Sequence, residues 1–190
     1  MTHSIAHLCV YCGSSPGHDA AFANQAALLG TLMAKANIRL VYGGGDAGLM
    51  GTIAKAVLAG GGQVTGIIPT FFFTEAFKVT ADGLDGAKLI EVPDMHTRKQ
   101  MMFERSDAFI ALPGGIGTLE ELVEMLTWAQ LGRHSKPVAL LDVNGFWAPF
   151  TQLCDHMAEA GFLHNAKRAT PKVFAGAAEA MGFFTTYGKD

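Results

Sequence analysis

The sequence predicts an α/β fold, a single doubly wound parallel sheet with helices on both faces, with residues 1–190 forming one domain. Three observations predict it. Short apolar runs recur without polar alternation, and each leads into a glycine-rich turn and then a helical pattern. Strands that are apolar on both faces belong to parallel sheets covered by helices. Glycine supplies 23 of 190 residues, as many tight strand-to-helix turns require. Hydrophobic residues make up 49% and charged residues 16%, which favours a sizeable core and argues against disorder.

The elements follow in order. Ala6 to Cys12 reads as a buried strand, Gly13–Gly17 as a turn, and the alanine- and leucine-rich stretch Ala20–Ala36 as a helix. Ile38 to Tyr42 is a second strand, followed by Gly43-Gly-Gly-Asp-Ala-Gly48 and a helix from about Leu49 to Leu58. Val64–Ile68 is a third strand. Phe71–Phe77 reads as a short helix, Lys78–Gly86 as loop and Lys88–Val92 as a strand. Asp94 is a good N-cap for a helix over Met95–Arg105. The strand Ala108–Leu112 precedes a helix that runs to about Leu131 and stops at Gly132. Val138–Val143 is a strand, Phe146–Ala160 a helix, and Gly176–Phe184 a last short helix. The alternation is Rossmann-like, so the carboxyl ends of all strands, and the helix starts after them, share one edge.

Composition narrows the function classes. A net charge of -3, with no basic block, gives no reason to expect nucleic acid or an anionic membrane as partner. The N-terminus lacks the charged and apolar regions of a signal peptide, and no apolar run is long enough to span a bilayer, so a cytoplasmic location is expected. Three cysteines do not suggest a disulfide framework. Cys9 and Cys12 spell C-x-x-C, but on a strand residues three apart point to opposite faces. No histidine pair has metal-ligand spacing, so no metal is expected; no cofactor is expected either.

The chemistry concentrates in Ala111-Leu-Pro-Gly-Gly-Ile-Gly-Thr-Leu-Glu-Glu-Leu-Val-Glu124, where a strand passes through glycines into a helix. Such a turn lets backbone approach an anion, and the helix start offers free N–H groups and positive dipole charge. Thr118 adds a hydroxyl donor. Glu120 and Glu121 are placed in the first helical turn, where they would compete with an anionic ligand; the dipole and Arg98 would hold Glu121 ionised, whereas a bound phosphate would oppose that. Acidic residues suit a helix start without any function, so their meaning depends on what faces them. Arg98 and Lys99 sit early in their own helix, where the dipole disfavours cations. A nearby anion or carboxylate would resolve that conflict, and the shared edge predicts that Arg98 and Glu121 converge. His96 is equally consistent with a ligand contact and with plain surface exposure. Gly43-x-Gly45-x-x-Gly48 spells a dinucleotide fingerprint, but the next strand ends Ile68-Pro-Thr70 without the acidic residue that holds a ribose. A nucleotide-contacting loop fits it better than a nicotinamide site.

These residues resemble the LOG ("lonely guy") phosphoribohydrolases, whose genes often carry the label lysine decarboxylase. Pro113-Gly-Gly-Ile-Gly-Thr-Leu-Glu-Glu121 matches their P-G-G-x-G-T-x-x-E signature. The resemblance extends through Cys12–Ser15, Val41–Gly45, Gly48–Gly51, Met95–Lys99, Asp107–Leu112 and Leu126–Gly132, from the first strand to about Gly161. It implies cleavage of the N-glycosidic bond of purine or cytokinin nucleoside 5′-monophosphates, AMP among them, to free base and ribose 5-phosphate. It implies Arg98 and Glu121 as the catalytic pair and Gly114, Gly115, Gly117 and Thr118 as the phosphate cradle. Ser14, Gly44, Gly45, Met95, Lys99 and Ile116 complete the expected substrate contacts. A homodimer whose partner subunit completes the site is also implied. Phe71–Gly86 departs from the family by being longer and more aromatic, which bears on base specificity.

A carboxylate beside C1′ can stabilise an oxocarbenium-like transition state. Whether Glu121 is charge stabiliser, base toward water or nucleophile stays open at this stage. A non-catalytic carrier of nucleotides or phosphorylated cofactors is the alternative, and it leaves Arg98 and Glu121 without a purpose. A true lysine decarboxylase would need a Schiff-base lysine, and no lysine here has a recognisable setting for one.

Overall fold

The computed structural model describes residues 4–72, 84–163 and 170–188. Its first half contains β1 (His7–Tyr11), α1 (Ala20–Lys35), β2 (Arg39–Tyr42), α2 (Gly48–Ala59), β3 (Val64–Pro69), a 3₁₀ turn at Thr70–Phe72 and β4 (Lys88–Val92). The second half contains α3 (Met95–Glu104), β5 (Ala108–Ala111), α4 (Ile116–Gln130), β6 (Val138–Leu141), a 3₁₀ turn at Val143–Gly145, α5 (Ala148–Glu159), β7 (Lys172–Phe174) and α6 (Ala177–Thr186). The strands form one sheet in the order β4-β3-β2-β1-β5-β6-β7, with neighbours parallel throughout. The chain walks outward from β1 to β4, then returns to the other side of β1 with β5. That reversal creates a crevice between the β1 and β5 loops, where open α/β sheets bind ligands.

Side-chain alternation along β1 divides the core. Leu8, Val10 and Cys12 join the cluster packed with α1, α2 and α6. Cys9 and Tyr11 face the other way, into the cluster that holds Met102 of α3, Leu122 and Met125 of α4, and Trp147. The two thiols therefore lie on opposite faces, and both are buried and free. On the second face Phe109 of β5 stacks between Tyr11 and Phe103, with ring planes 7° and 1° apart. Helices α3 and α4 share this face, which is what allows their side chains to meet.

The expected strands and helices recur with small differences at their ends. Helix α1 is capped by Asp19, whose side chain accepts from the Ala21 N–H, and α3 by Asp94, which accepts from the Thr97 N–H. Strand β6 ends two residues early because Asn144 and Gly145 turn into the left-handed region (φ 54° and 74°). Helix α5 starts at Ala148 rather than Phe146, after Asp142 takes the Trp147 N–H at 2.6 Å. The edge strand β7 was not expected, since three residues carry too little pattern to read. Of the Phe71–Phe77 helix and the Lys78–Gly86 loop, positions 73–83 lie outside the described residues; Thr70–Phe72 forms the 3₁₀ turn. No described helix is long and apolar enough to cross a membrane.

Candidate active site

Three loops at the carboxyl edge are stitched together by their backbones. Gly13 donates its N–H to the Pro113 carbonyl at 3.1 Å, joining the β1 and β5 loops, and Leu49 donates to the Gly13 carbonyl at 3.1 Å, joining α2 to the β1 loop. Gly48 makes this closeness possible. Its φ of +57° suits glycine, and a Cβ there would stand 2.3 Å from the Ser14 carbonyl carbon. Gly114 is equally confined, since a Cβ would lie 2.2 Å from Thr118 Oγ1 and 2.9 Å from Gly13 N.

Helix α4 opens at Ile116 with Gly115 as N-cap, and no side chain caps its first N–H groups. Cβ atoms at Gly115 and Gly117 would meet nothing within 4 Å. The helix start is thus accessible and offers donors and dipole charge to an anion. Thr118 is buried against Gly114, and Ile116 is 82% exposed at the first helical position.

This boundary corrects the expectation for the acids. With Ile116 first, the opening turn is Ile116–Leu119, and Glu120 and Glu121 fall in the second. The dipole acts mainly within the first turn, so the carboxylates neither gain much from it nor compete with an anion there.

Arg98, in the first turn of α3, reaches across to Glu121 with Nη1 2.9 Å from Oε1, and both side chains are 11% exposed. The guanidinium is fixed further by Nε donating to the Ile67 carbonyl at 3.1 Å and Nη2 donating to the Gly43 carbonyl at 3.3 Å. Met95 sulfur lies 3.9 Å from Nη1. Gly43 must be small, because a Cβ would sit 2.1 Å from Arg98 Nη2. Helix α4, strand β3 and the loop after β2 therefore define where this cation stands.

Burial raises the Glu121 carboxyl above its ordinary pKa; attraction from Arg98 opposes the rise without cancelling it. The direction is opposite to the expectation from dipole and cation alone, because removal from water outweighs both. The result is a carboxylate more basic than a free glutamate. Its β1 neighbours are inert by comparison: burial pushes the Cys9 thiol up to about 12, and it also raises the Cys12 thiol and the Tyr11 hydroxyl. Neither thiol is a nucleophile in such a setting.

Lys99 turns to the far side of α4. It bonds Glu120 and, at 3.2 Å, Oε1 of Glu124. Partial burial pulls its ammonium pKa down, but the hydrogen bonds and attraction from these two carboxylates win, and the pKa rises.

Two cavities flank the pair's edge. One of about 180 Å³ is lined by Ser14, Gly43, Gly45, Asp46, Met50 and Arg98, among others. The second, about 240 Å³, lies along Ser14, Leu49, Pro113, Gly114 and Gly115. Ser14 touches both. Gly44 turns away, since a Cβ on it would meet Ile68 and Leu89 at 3.1 and 3.2 Å. His96 is exposed. Sequence reasoning did not find Gly43 or the Ile67 carbonyl as partners of Arg98; a backbone acceptor leaves no mark in residue identity. A larger cavity of about 510 Å³, lined by His134, Lys136 and Lys172, lies at the opposite end of the sheet and shares no residue with the pair.

Residues 50–182 match the sequence family described as possible lysine decarboxylase. The chain is 48% identical over 161 residues to a cytokinin riboside 5′-monophosphate phosphoribohydrolase of Arabidopsis thaliana, covering 85% of this chain and 74% of the relative. A probable enzyme of the same name from Oryza sativa subsp. japonica is 48% identical over 156 residues, 82% and 68% of the two chains. Among solved structures, a molybdenum cofactor binding protein from Rippkaea orientalis superposes with a TM-score of 0.67 at 21% identity over 98% of both chains. A molybdenum cofactor carrier protein from Chlamydomonas reinhardtii gives 0.66 at 20% identity over 93% of both. At that identity these two share the fold with this chain and nothing finer. Signature residues, family match and the identities with plant relatives agree: the chain belongs to the LOG family of phosphoribohydrolases.

Proposed function

We propose that the protein hydrolyses the N-glycosidic bond of purine nucleoside 5′-monophosphates, AMP and its N6-substituted forms, releasing free base and ribose 5-phosphate. The observation that carries the proposal is the buried Arg98–Glu121 pair, set on the same sheet edge as an uncapped, glycine-lined helix start. A structural ion pair gains little from burial, and replacing one by apolar residues is often neutral or stabilising. A pair kept here, beside an anion site, has a chemical use.

In this reading the 5′-phosphate binds over Gly114, Gly115, Ile116, Gly117 and Thr118, using backbone N–H groups and the Thr118 hydroxyl. Holding the phosphate fixes the ribose and turns remote binding energy into alignment at C1′. The base enters the cavity lined by Gly45, Met50 and Arg98, with Ser14 and Met95 at its margin. Glu121 faces C1′ as charge builds there. Its raised basicity suits it to take a proton from water as the water oxygen bonds C1′. The purine leaves with the electrons of the C1′–N bond and is protonated on release. Arg98 holds Glu121 in place and limits how far its pKa rises. The residues that would complete the site from a partner subunit in a homodimer are part of the same proposal.

A carrier function leaves the buried pair without a role, and the carriers that share the fold are too distant to supply one. The test is chromatography of AMP incubated with wild type and with Glu121→Gln. Base and ribose 5-phosphate from wild type alone support the proposal; equal turnover by the variant removes Glu121 from the mechanism.

A further inference from the structure

The base cavity carries one charged acceptor that the proposed reaction leaves unused. Asp46, in the loop between β2 and α2, lines this cavity with Met50, Ile68, Phe72 and Arg98, and it is the one carboxylate among the described lining residues. It is half-buried, and among the described residues its side chain makes no hydrogen bond and no ion pair. We propose that Asp46 reads the base: its carboxylate accepts the exocyclic N6–H of adenine and so selects 6-amino purine nucleotides over 6-oxo ones. The proposal rests on the hydrolase reading of the same site.

Other acids along this edge are already committed. Asp19 and Asp94 cap α1 and α3, and Asp142 accepts the Trp147 N–H. Glu121 and Glu120 hold Arg98 and Lys99. Asp46 has no such duty, because α2 takes Ala47 as its N-cap, without a side-chain bond. The cavity's cation does not neutralise it either, since Arg98 is bound to Glu121 and to the Ile67 and Gly43 carbonyls. A half-buried carboxylate beside apolar side chains is costly without a partner, and a donor on the ligand offsets that cost.

The acceptor is also held in place. Leu49 ties the start of α2 to the Gly13 carbonyl, and a Cβ on Gly51 would stand 1.9 Å from the Asp46 carbonyl oxygen, so the Asp46 backbone packs directly on α2. Burial raises the Tyr42 hydroxyl pKa and the charge of Asp46 adds to the rise, which keeps the carboxylate near the end of β2. Such a fixed acceptor discriminates between purines. Adenine presents an amino donor at the position where guanine presents the O6 acceptor, and hypoxanthine carries the same O6. A carboxylate facing O6 sets acceptor against acceptor, a stronger rejection than an apolar slot alone can give. One substituent on N6 still leaves one N6–H, so AMP and its N6-monosubstituted forms keep the contact. An acid ahead of α2 can also serve the helix dipole, since the first turn of α2 holds none. That role shows in stability and is blind to the base.

The experiment follows cleavage of AMP, N6-methyl-AMP and IMP by wild type and by the near-isosteric Asp46→Asn. For wild type, kcat/KM should agree within about ten-fold for AMP and N6-methyl-AMP and be on the order of 10³-fold lower for IMP. In Asp46→Asn the amide can turn its N–H toward O6, so the AMP-to-IMP ratio should drop about a hundred-fold. Comparing that ratio between the two proteins cancels the intrinsic difference between the leaving bases. Equal losses on AMP and IMP would put Asp46 on the ribose or the phosphate and overturn the proposal. A lower thermal midpoint with an unmoved ratio would make Asp46 an acid of the helix dipole and overturn it equally. If wild type cleaves none of the three, the hydrolase reading falls, and titration calorimetry decides Asp46 separately. Tighter binding of AMP than of IMP, erased in Asp46→Asn, supports the contact; equal binding of both refutes it.

Discussion

Gly43→Ala separates function from stability at this site. The added Cβ would stand 2.1 Å from Arg98 Nη2, 3.3 Å from Arg98 Cζ and 3.3 Å from Met50 sulfur. All three contacts are with side chains, and the closest is the free end of a long one. The chain can therefore absorb the methyl by moving the guanidinium, without disturbing β2. That movement breaks the Nη2 bond to the Gly43 carbonyl and pulls Nη1 from its 2.9 Å contact with Glu121. A hydrogen bond to a charged group contributes about 1.5–3 kcal/mol, so kcat/KM for AMP should fall roughly 10- to 100-fold. Stability should fall by no more than about 2 kcal/mol, because Gly→Ala also reduces the entropy of the unfolded chain. Urea unfolding and steady-state kinetics on one preparation check both. Wild-type kcat/KM in the folded variant would refute the claim that Arg98 placement limits the reaction. A variant that fails to fold would refute the claim that a side chain takes up the clash.

Other predictions follow from the same geometry. Gly48→Ala places a Cβ 2.3 Å from Ser14 backbone at a φ of +57°, where nothing flexible can yield, so urea unfolding should show a loss of about 2–5 kcal/mol. Gly117→Ala meets nothing within 4 Å and should leave the fold unharmed, or up to about 1 kcal/mol more stable as a better helix residue. If the helix start holds the phosphate, its KM for AMP should nonetheless rise about ten-fold or more; an unchanged KM would place the phosphate elsewhere. The Glu121 pKa is raised by burial, so the folded state binds that proton more tightly than the unfolded chain. Its contribution to stability is then fully present below the unfolded value, near pH 4.5, and is lost as pH climbs through the higher folded value. The stability of Glu121→Gln relative to wild type should therefore increase over that window, and a difference that decreases would reverse the assigned direction.

Much of this was legible in residue identities. The apolar runs at His7–Tyr11 and Ala108–Ala111, each closed by glycine, sufficed to predict a parallel sheet, and with it the edge that brings Arg98 to Glu121. A cation at the start of α3 was a local conflict, and Glu121 resolves it. What the sequence withheld has physical reasons. Helix α4 begins at Ile116 because Gly115 is extended, a backbone choice that glycine leaves open, and the Glu120–Glu121 turn number depended on it. The rise in the Glu121 pKa needed the depth of burial, which no motif encodes. Adjacent residues on a helix point about 100° apart, and only the position of α4 shows that Arg98 meets Glu121 while Lys99 meets Glu120 and Glu124.

The most direct test of the account is product analysis of AMP incubated with wild-type protein and, in parallel, with folded Glu121→Gln. The account predicts adenine and ribose 5-phosphate in equal amounts from wild type, with a rate on the order of 10³-fold lower in the variant. Saturable AMP binding by wild type with no adenine released would contradict it.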